Sequence, residues 1–520
     1  MKRKLLNIMI GFGLTMLGGV IIIGGLIALL FIFPNLSIFG AKSVNERDTQ
    51  IVYRDEILDD AFANGRFIID SVGSQIEVKM SNVGYEGEGT IVVNEAATGI
   101  AFNDLNRTLI QWTQTLYGGE LYYRLKVLEP SGVVFNDKPT TIYINLPHRA
   151  PSDTFEHDFV LQSKYSHVNF SFNDNTAGQT DALKIGDLMV ESAATVNIPS
   201  SPNISLNNVA IKGDSVKFTC QSSVLGDVTV SGSKGEQTFN SKIKGKVTIN
   251  GQGNTFNGDE SGNVLYESAD GKLTMNSVQN LNVTTVSGNI SVRKVTAGAT
   301  MNTQSGSLSI GTIESAGLQF TAGTPEAPNA TANVKVDKVN GDVTVKNYGV
   351  GGVSLGGVNG HVDVDSSQVN GGKINVAFSD DAENCKVKIL GFDGDIKVTG
   401  INGATDIEVR NWKNGAGAAN VYAKFNQVVG TVNEIKTGGY ISGHHDWGNV
   451  EVEVDSGCNS FDMFIYGASS ANSASKYGFE ENNMFIIGED GLGLGNAIIV
   501  GESSISGAVQ IRTKQSVYLR

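Results

Sequence analysis

A five-residue pattern constrains the fold more than any other feature of this chain: glycine, then polar, apolar, polar and apolar positions. It reads GDVTV at Gly226–Val230, GKVTI at Gly245–Ile249, GKLTM at Gly271–Met275, GNISV at Gly288–Val292 and GSLSI at Gly306–Ile310. It continues as GDVTV at Gly341–Val345, GHVDV at Gly360–Val364, GKINV at Gly372–Val376, GDIKV at Gly394–Val398, GNVEV at Gly448–Val452 and GAVQI at Gly507–Ile511. Several neighbouring glycines stand 17 to 19 residues apart, as in 226 to 245, 271 to 288, 288 to 306 and 341 to 360.

A repeat this short cannot bury its own apolar face, so copies must stack and share one core. In an extended strand, alternate side chains face opposite ways. Val343 and Val345 therefore point into the stack, and Asp342 and Thr344 face solvent. Glycine at the head of each copy suits a sharp corner that needs positive φ. A weaker apolar run, such as Leu281 to Val286, lies between copies, which gives at least two strands per turn. The expected fold is all-β: a β-solenoid of the parallel β-helix type over 181–520, irregular after about 411. A β-sandwich of short strands is the structural alternative, and the near-constant spacing counts against it. The 63 glycines suit many tight turns, and only 9 prolines stand in the way of strands.

Upstream, residues 66–180 read as a smaller β-domain with strands of ordinary antiparallel type. Phe67-Ile68-Ile69, Gln75 to Lys79, Thr90 to Val93, Glu120 to Leu128 and Thr140 to Leu146 are β-rich runs between turn residues. Ile142, Ile144 and Leu146 alternate with Thr141, Tyr143 and Asn145, the period of a strand with one buried face.

The N-terminus is of a different kind. No charged residue occurs from Ile8 to Phe33, and a helix of that length would span about 39 Å, enough to cross a bilayer with tilt. Lys2, Arg3 and Lys4 precede it, which places residues 1–7 in the cytoplasm and everything after Pro34, the 34–65 linker included, outside. A cleaved signal peptide is the competing reading. Its apolar core would be shorter, and Phe39 stands where cleavage after Ala41 requires a small residue. The expectation is a single-pass cell-membrane protein whose bulk is extracellular. Gly11, Gly18 and Gly25, with the pairs Gly11/Thr15 and Gly24/Ala28, would allow self-association of the membrane helix.

The net charge is −14, and beyond the three N-terminal cations 36 basic residues face 53 acidic ones, or −17. Such a surface repels nucleic acid and keeps an exposed domain soluble. Cys220, Cys385 and Cys458 are odd in number and far apart, with neither disulfide-framework nor zinc spacing, and they read as small buried hydrophobes.

The form Ser-Gly-polar-apolar-polar-apolar occurs at Ser287–Val292 and again at Ser305–Ile310, and a strand ending in Leu146-Pro147 precedes the repeats. In these features the chain resembles the bacterial putative adhesin repeat family of envelope proteins, over about residues 66 to 410. The resemblance implies a surface location and adhesion. It carries no catalytic residues to transfer, and the chain departs from the pattern after Asn411.

Parallel β-helices that degrade acidic polysaccharides need clustered carboxylates. Asp363 and Asp365 share one strand face, and Asp393 and Asp395 flank Gly394. Such pairs could serve acid–base chemistry or hold Ca²⁺, but a polar, solvated strand face is the commoner role, and no basic cluster accompanies them. His444-His445-Asp446 could bind a metal only in a loop, because adjacent strand residues face opposite ways. Glu489-Asp490-Gly491 with Gly493 and Gly495 lacks the nine-residue recurrence of glycine-rich calcium repeats. Trp112, Trp412, Trp447 and Tyr440 could stack on sugars, and burial is the more common fate of such residues. No phosphate loop, nucleophile elbow or Cys-x-x-Cys is present. No catalytic, cofactor or metal residue is therefore assigned. The expected function is an adhesin-like binding or structural role without catalysis, toward a cell-surface glycan or protein. A polysaccharide-acting β-helix enzyme and an envelope-stress sensor ectodomain are the alternatives.

The topology predicts that protease added to intact cells shaves the ectodomain and leaves the N-terminal segment in the membrane. A mature N-terminus near Lys42 would show a cleaved leader instead of an anchor.

Overall fold

The structure is a computed structural model. It describes Met16, Val20 and residues 37–38, 41–53, 61–62, 64–81, 90–101, 109–128, 132–136, 141–146, 157–173, 183–327, 331–349, 351–366, 372–382, 385–392, 394–402, 406–412, 421–427, 429–437, 450–454, 460–467, 509–513 and 517–519. Strand is the dominant element. Among the described residues no helix is long and apolar enough to cross a membrane. The Ile8–Phe33 segment lies outside them except for Met16 and Val20. Two compact units divide the chain, Met1–Leu225 and Gly226–Arg520.

In the first unit two parallel ladders carry the core. One runs through Glu120–Leu128, Arg66–Asp70, His157–Leu161, Leu183–Val190, Ile204–Ile211 and Ser223–Val224. The other runs through Thr141–Leu146, Gln75–Ser81, His167–Asn173, Thr195–Ile198 and Lys217–Cys220. The antiparallel reading of 66–147 holds only in part, because Arg66–Asp70 and Gln75–Ser81 pair in parallel with Glu120–Leu128 and Thr141–Leu146. Antiparallel strands do occur, and one meets the first strand of each ladder: Leu109–Tyr117 lies on Glu120–Leu128, and Thr90–Ala101 lies on Thr141–Leu146. Alternation of buried and exposed residues is the same in either orientation, so it could not decide direction. What decides it is pairing between distant segments such as Arg66–Asp70 and His157–Leu161.

The strand Leu109–Tyr117 turns into Glu120–Leu128 through Gly118 (φ 62°) and Gly119 (φ 92°). Two positive φ values make the tight turn that matches strand twist, which is why two glycines stand there. Near this turn Tyr117 and Tyr122 meet edge to face at 5.5 Å. Tyr122 packs with Ile68 and Val160 in a small buried cluster that Tyr117 and Met189 border. The Tyr117 hydroxyl donates to the Glu191 carboxylate. The runs Phe67-Ile68-Ile69 and Phe159-Val160-Leu161 are thus buried on both faces, as their unbroken apolar sequence requires.

The second unit, taken by itself, also holds two parallel ladders, to which the chain returns rung after rung. The first contains Val228–Val230, Val247–Ile249, the later halves of Asn254–Glu267 and Gly271–Thr285, then Ala299–Thr303, Leu318–Ala322, Val343–Asn347, Val362–Asp365 and Lys386–Phe392. The second contains Glu236–Phe239, the earlier halves of the two long strands, then Asn289–Val295, Leu308–Ile313, Val334–Asn340, Val353–Asn359, Ile374–Phe378 and Ile396–Asn402. All of these pairings are parallel. The glycine motif does not keep to one ladder: the copies at Gly226, Gly245, Gly341 and Gly360 lie on the first, and those at Gly271, Gly288, Gly306, Gly372 and Gly394 on the second.

In every one of those copies both apolar positions are buried; Val343 and Val345 are 1% and 0% exposed, and Ile396 and Val398 are 2% and 0%. Register brings like against like, with Leu318, Val343, Val362 and Val387 in one inward row. A further inward row, Val278, Val295, Ile313, Val339 and Val358, follows the bend after the second ladder. Each such side chain removed from water is worth about 1.5–3 kcal/mol.

The motif glycines need correction. Among the described motif glycines only Gly271 and Gly341 have positive φ. At others the constraint is close approach: a Cβ on Gly245 would lie 2.3 Å from the Gly226 carbonyl oxygen, and one on Gly306 2.2 Å from that of Gly288. The preceding rung passes too near for any side chain.

Inside the first ladder's last turn sits a row that the apolar pattern does not announce: Thr285, Thr303, Ala322 and Asn347, stacked in register. Thr285 Oγ1 accepts from Gly288 N–H at 2.8 Å, Thr303 Oγ1 from Gly306 N–H at 2.8 Å, and Asn347 Oδ1 from Gly349 N–H at 3.0 Å. These side chains satisfy backbone donors where the chain leaves the ladder, which a purely apolar residue could not do.

Cys220 and Cys385 are buried, as the small-hydrophobe reading expects, and Cys458 lies outside the described residues. Burial pushes the Cys220 thiol up to about 12, and its S–H donates to the Ser222 carbonyl.

Two outcomes follow. Val343→Asp, a buried unpaired carboxylate, should destabilise the unit by about 4 kcal/mol or more. Thr344→Lys, which faces out opposite Asp363, should leave the thermal midpoint unchanged or raise it. Equal losses would overturn the inward and outward assignment. Mapping of alkylated peptides at pH 8.5 should find Cys220 protected in the folded protein and modified only after denaturant, because the thiolate is the reactive form.

Candidate binding surface

The residues singled out for chemistry are scattered. Asp363 and Asp365 lie on Val362–Asp365 and face out, as their spacing requires. Their register neighbours are Thr344 and Lys346 on one side and Lys388 and Leu390 on the other. Each carboxylate thus has a lysine opposite it on an adjacent strand, an arrangement that stabilises a sheet by a few tenths of a kcal/mol per pair. Asp395 is exposed, with Lys373 Nζ at 4.0 Å. Asp393, His444, His445, Asp446, Trp447, Tyr440 and the Glu489-Asp490-Gly491 segment lie outside the described residues, as does the side chain of Trp412. Trp112 lies on Leu109–Tyr117, and its indole N–H is buried without a hydrogen-bonding partner among the described residues. Among the described residues no group of three or more His, Cys, Asp or Glu side chains could hold a metal ion.

What the fold does assemble is two outward faces in the second unit. On the first ladder Asn282, Thr300, Gln319 and Thr344 form one register row, and Thr284, Asn302, Thr321 and Lys346 form the next. On the second ladder Asn257, Thr274, Ser291, Ser309 and Lys335 align. One hydroxyl, amide or amine per strand recurs at the strand spacing of about 4.7–4.9 Å. The rows are amide- and hydroxyl-rich because the polar positions of the motif draw on Ser, Thr and Asn.

Beside the second row a groove of about 400 Å³ opens over Gly258, Thr274, Asn276, Ser291, Arg293, Ser309 and Gly311. The Arg293 guanidinium donates through Nε to Asn276 Oδ1, and Asn276 Nδ2 donates to Asp259 Oδ1 at 2.8 Å. This groove escaped the sequence reading, since its members come from four rungs and Thr274, Ser291 and Ser309 read, copy by copy, as ordinary outward positions of the motif. A signal did exist, in that GSLSI is followed by Gly311 where other copies carry a side chain.

No family model matches the chain, and no curated protein matches it. A crystal structure of a putative cell adhesion protein from Clostridium sporogenes matches at 12% identity, covering 49% of this chain and 99% of that one, with a TM-score of 0.19. A likeness at that level carries no argument about fold or role.

Proposed function

We propose that the chain is a membrane-anchored extracellular surface protein, built as a parallel β-solenoid, that binds a glycan on its outward ladders without turning it over. The observation that carries this reading is the pair of in-register rows of hydroxyls and amides, one polar group per strand, on a flat sheet face. A repeating polar polymer meets such a face many times with individually weak contacts, and the sum gives avidity. Catalysis asks for the opposite arrangement, several groups of matched pKa converging on one cleft. Here Asp363 and Asp365 are offset by Lys346 and Lys388 on a flat face. The charge-free segment Ile8–Phe33 behind Lys2, Arg3 and Lys4 supports the anchor, and its glycine spacing supports self-association within the membrane.

The test uses the full-length protein in detergent on a panel of pectin, alginate, glycosaminoglycan and peptidoglycan. Retention of a polymer without release of new reducing ends is the expected result. Release that disappears in Asp363→Asn/Asp365→Asn protein would make the chain a polysaccharide-acting enzyme instead.

A further inference from the structure

We infer that the groove over Thr274, Ser291 and Arg293 is a discrete subsite for a sparsely carboxylated oligosaccharide, with Arg293 holding the carboxylate and the hydroxyl row holding the sugar. This rests on the glycan-binding reading above and gives it an address and a charge.

Four observations converge. The groove is opened at Gly311: a Cβ there would lie 2.5 Å from the Arg293 carbonyl oxygen, so the position admits no side chain to fill it. Its wall is the hydroxyl row Thr274, Ser291 and Ser309, one per rung. Thr274 Oγ1 is buried and has no hydrogen-bonding partner among the described residues. A buried hydroxyl left unpaired is costly, so such an atom beside an open groove is a place where a ligand hydroxyl is favoured. Arg293 also lines the groove and donates through Nε to Asn276, which leaves its two Nη groups as a fork to which a carboxylate can bind end-on. No other partner for this guanidinium is present among the described residues.

The ligand class follows. A hydroxyl row at strand spacing suits a polyhydroxylated chain, and one guanidinium suits one carboxylate. A densely charged polyanion is disfavoured by the net charge of −14. The groove size falls in the range of small-molecule sites. No aromatic ring lines it, so affinity rests on hydrogen bonds and is weak for a single site.

The probe is hyaluronan tetrasaccharide, with one carboxylate per disaccharide, compared with its methyl ester on the full-length protein. Wild type should bind the acid about tenfold more tightly than the ester, the worth of one charge-assisted pair. Arg293→Ala should bring acid and ester to the same weak affinity. Thr274→Val should weaken both about threefold while leaving the thermal midpoint equal or higher, because it removes an unpaired hydroxyl; a lower midpoint would mean that the hydroxyl serves the fold and would overturn its role here. Ser309→Tyr should block the groove from an outward position. Asn302→Tyr, on the other ladder, should leave binding intact. Binding lost in Asn302→Tyr but kept in Arg293→Ala and Ser309→Tyr would overturn the groove and leave the glycan-binding reading standing. No retention of any polymer on the panel would overturn both.

Discussion

Everything in the second unit depends on in-register stacking of inward aliphatic side chains on parallel strands. Val343 is buried only because Leu318 lies before it and Val362 after it in the same row. Each rung supplies about half of the apolar contact that its neighbour needs, so a single rung has no stable fold and the array stands or falls by neighbour pairs. The ladder hydrogen bonds impose the same spacing on the backbone, so a shift of one residue in any rung would turn its valines to solvent. Parallel ladders also leave unpaired backbone groups at their ends. In the first unit those positions are met by the antiparallel strands Leu109–Tyr117 and Thr90–Ala101.

Between strands a second requirement takes over: the backbone must turn while its polar groups stay paired. Thr285 and Thr303 point inward like the aliphatics before them, yet spend their hydroxyls on the amide three residues ahead. Asn347 caps the amide two residues ahead and also donates to the Gly351 carbonyl at 2.7 Å. Glycine follows because the space of a Cβ is already taken, at Gly306 by the Gly288 carbonyl oxygen and at Gly288 by the Thr285 hydroxyl. Together these produce Thr-x-Ser-Gly at 285–288, and 303–306 repeats it: a hydroxyl cap and a steric gap.

The outward positions are released from those demands, and their composition differs between regions of one ladder. Asn282, Thr300 and Gln319 are uncharged, and a few rungs later Thr344, Asp363 and Lys388 bring opposite charges face to face. A flat face of this kind has no cleft to desolvate a carboxylate, and it offers long, repetitive contact. Where glycine replaces a side chain, as at Gly311, the face opens into a groove.

The sequence alone determined the class and the alternation. Period-two valines behind a recurring glycine can bury only one face per strand, so the copies had to stack and Val343, Val345, Val362 and Val364 had to face inward. Direction and placement were beyond it. Arg66–Asp70 pairs in parallel with His157–Leu161, and the motif passes from the first ladder at Gly245 to the second at Gly271 and back at Gly341. Both depend on which distant segment lies alongside, and hydrophobic period is blind to that. The groove was equally hidden. Thr274, Asn276, Ser291 and Arg293 look like ordinary solvent-facing positions one copy at a time. Only the 17-residue offset that lays one rung on the next puts an arginine against an asparagine and lines the hydroxyls into a wall.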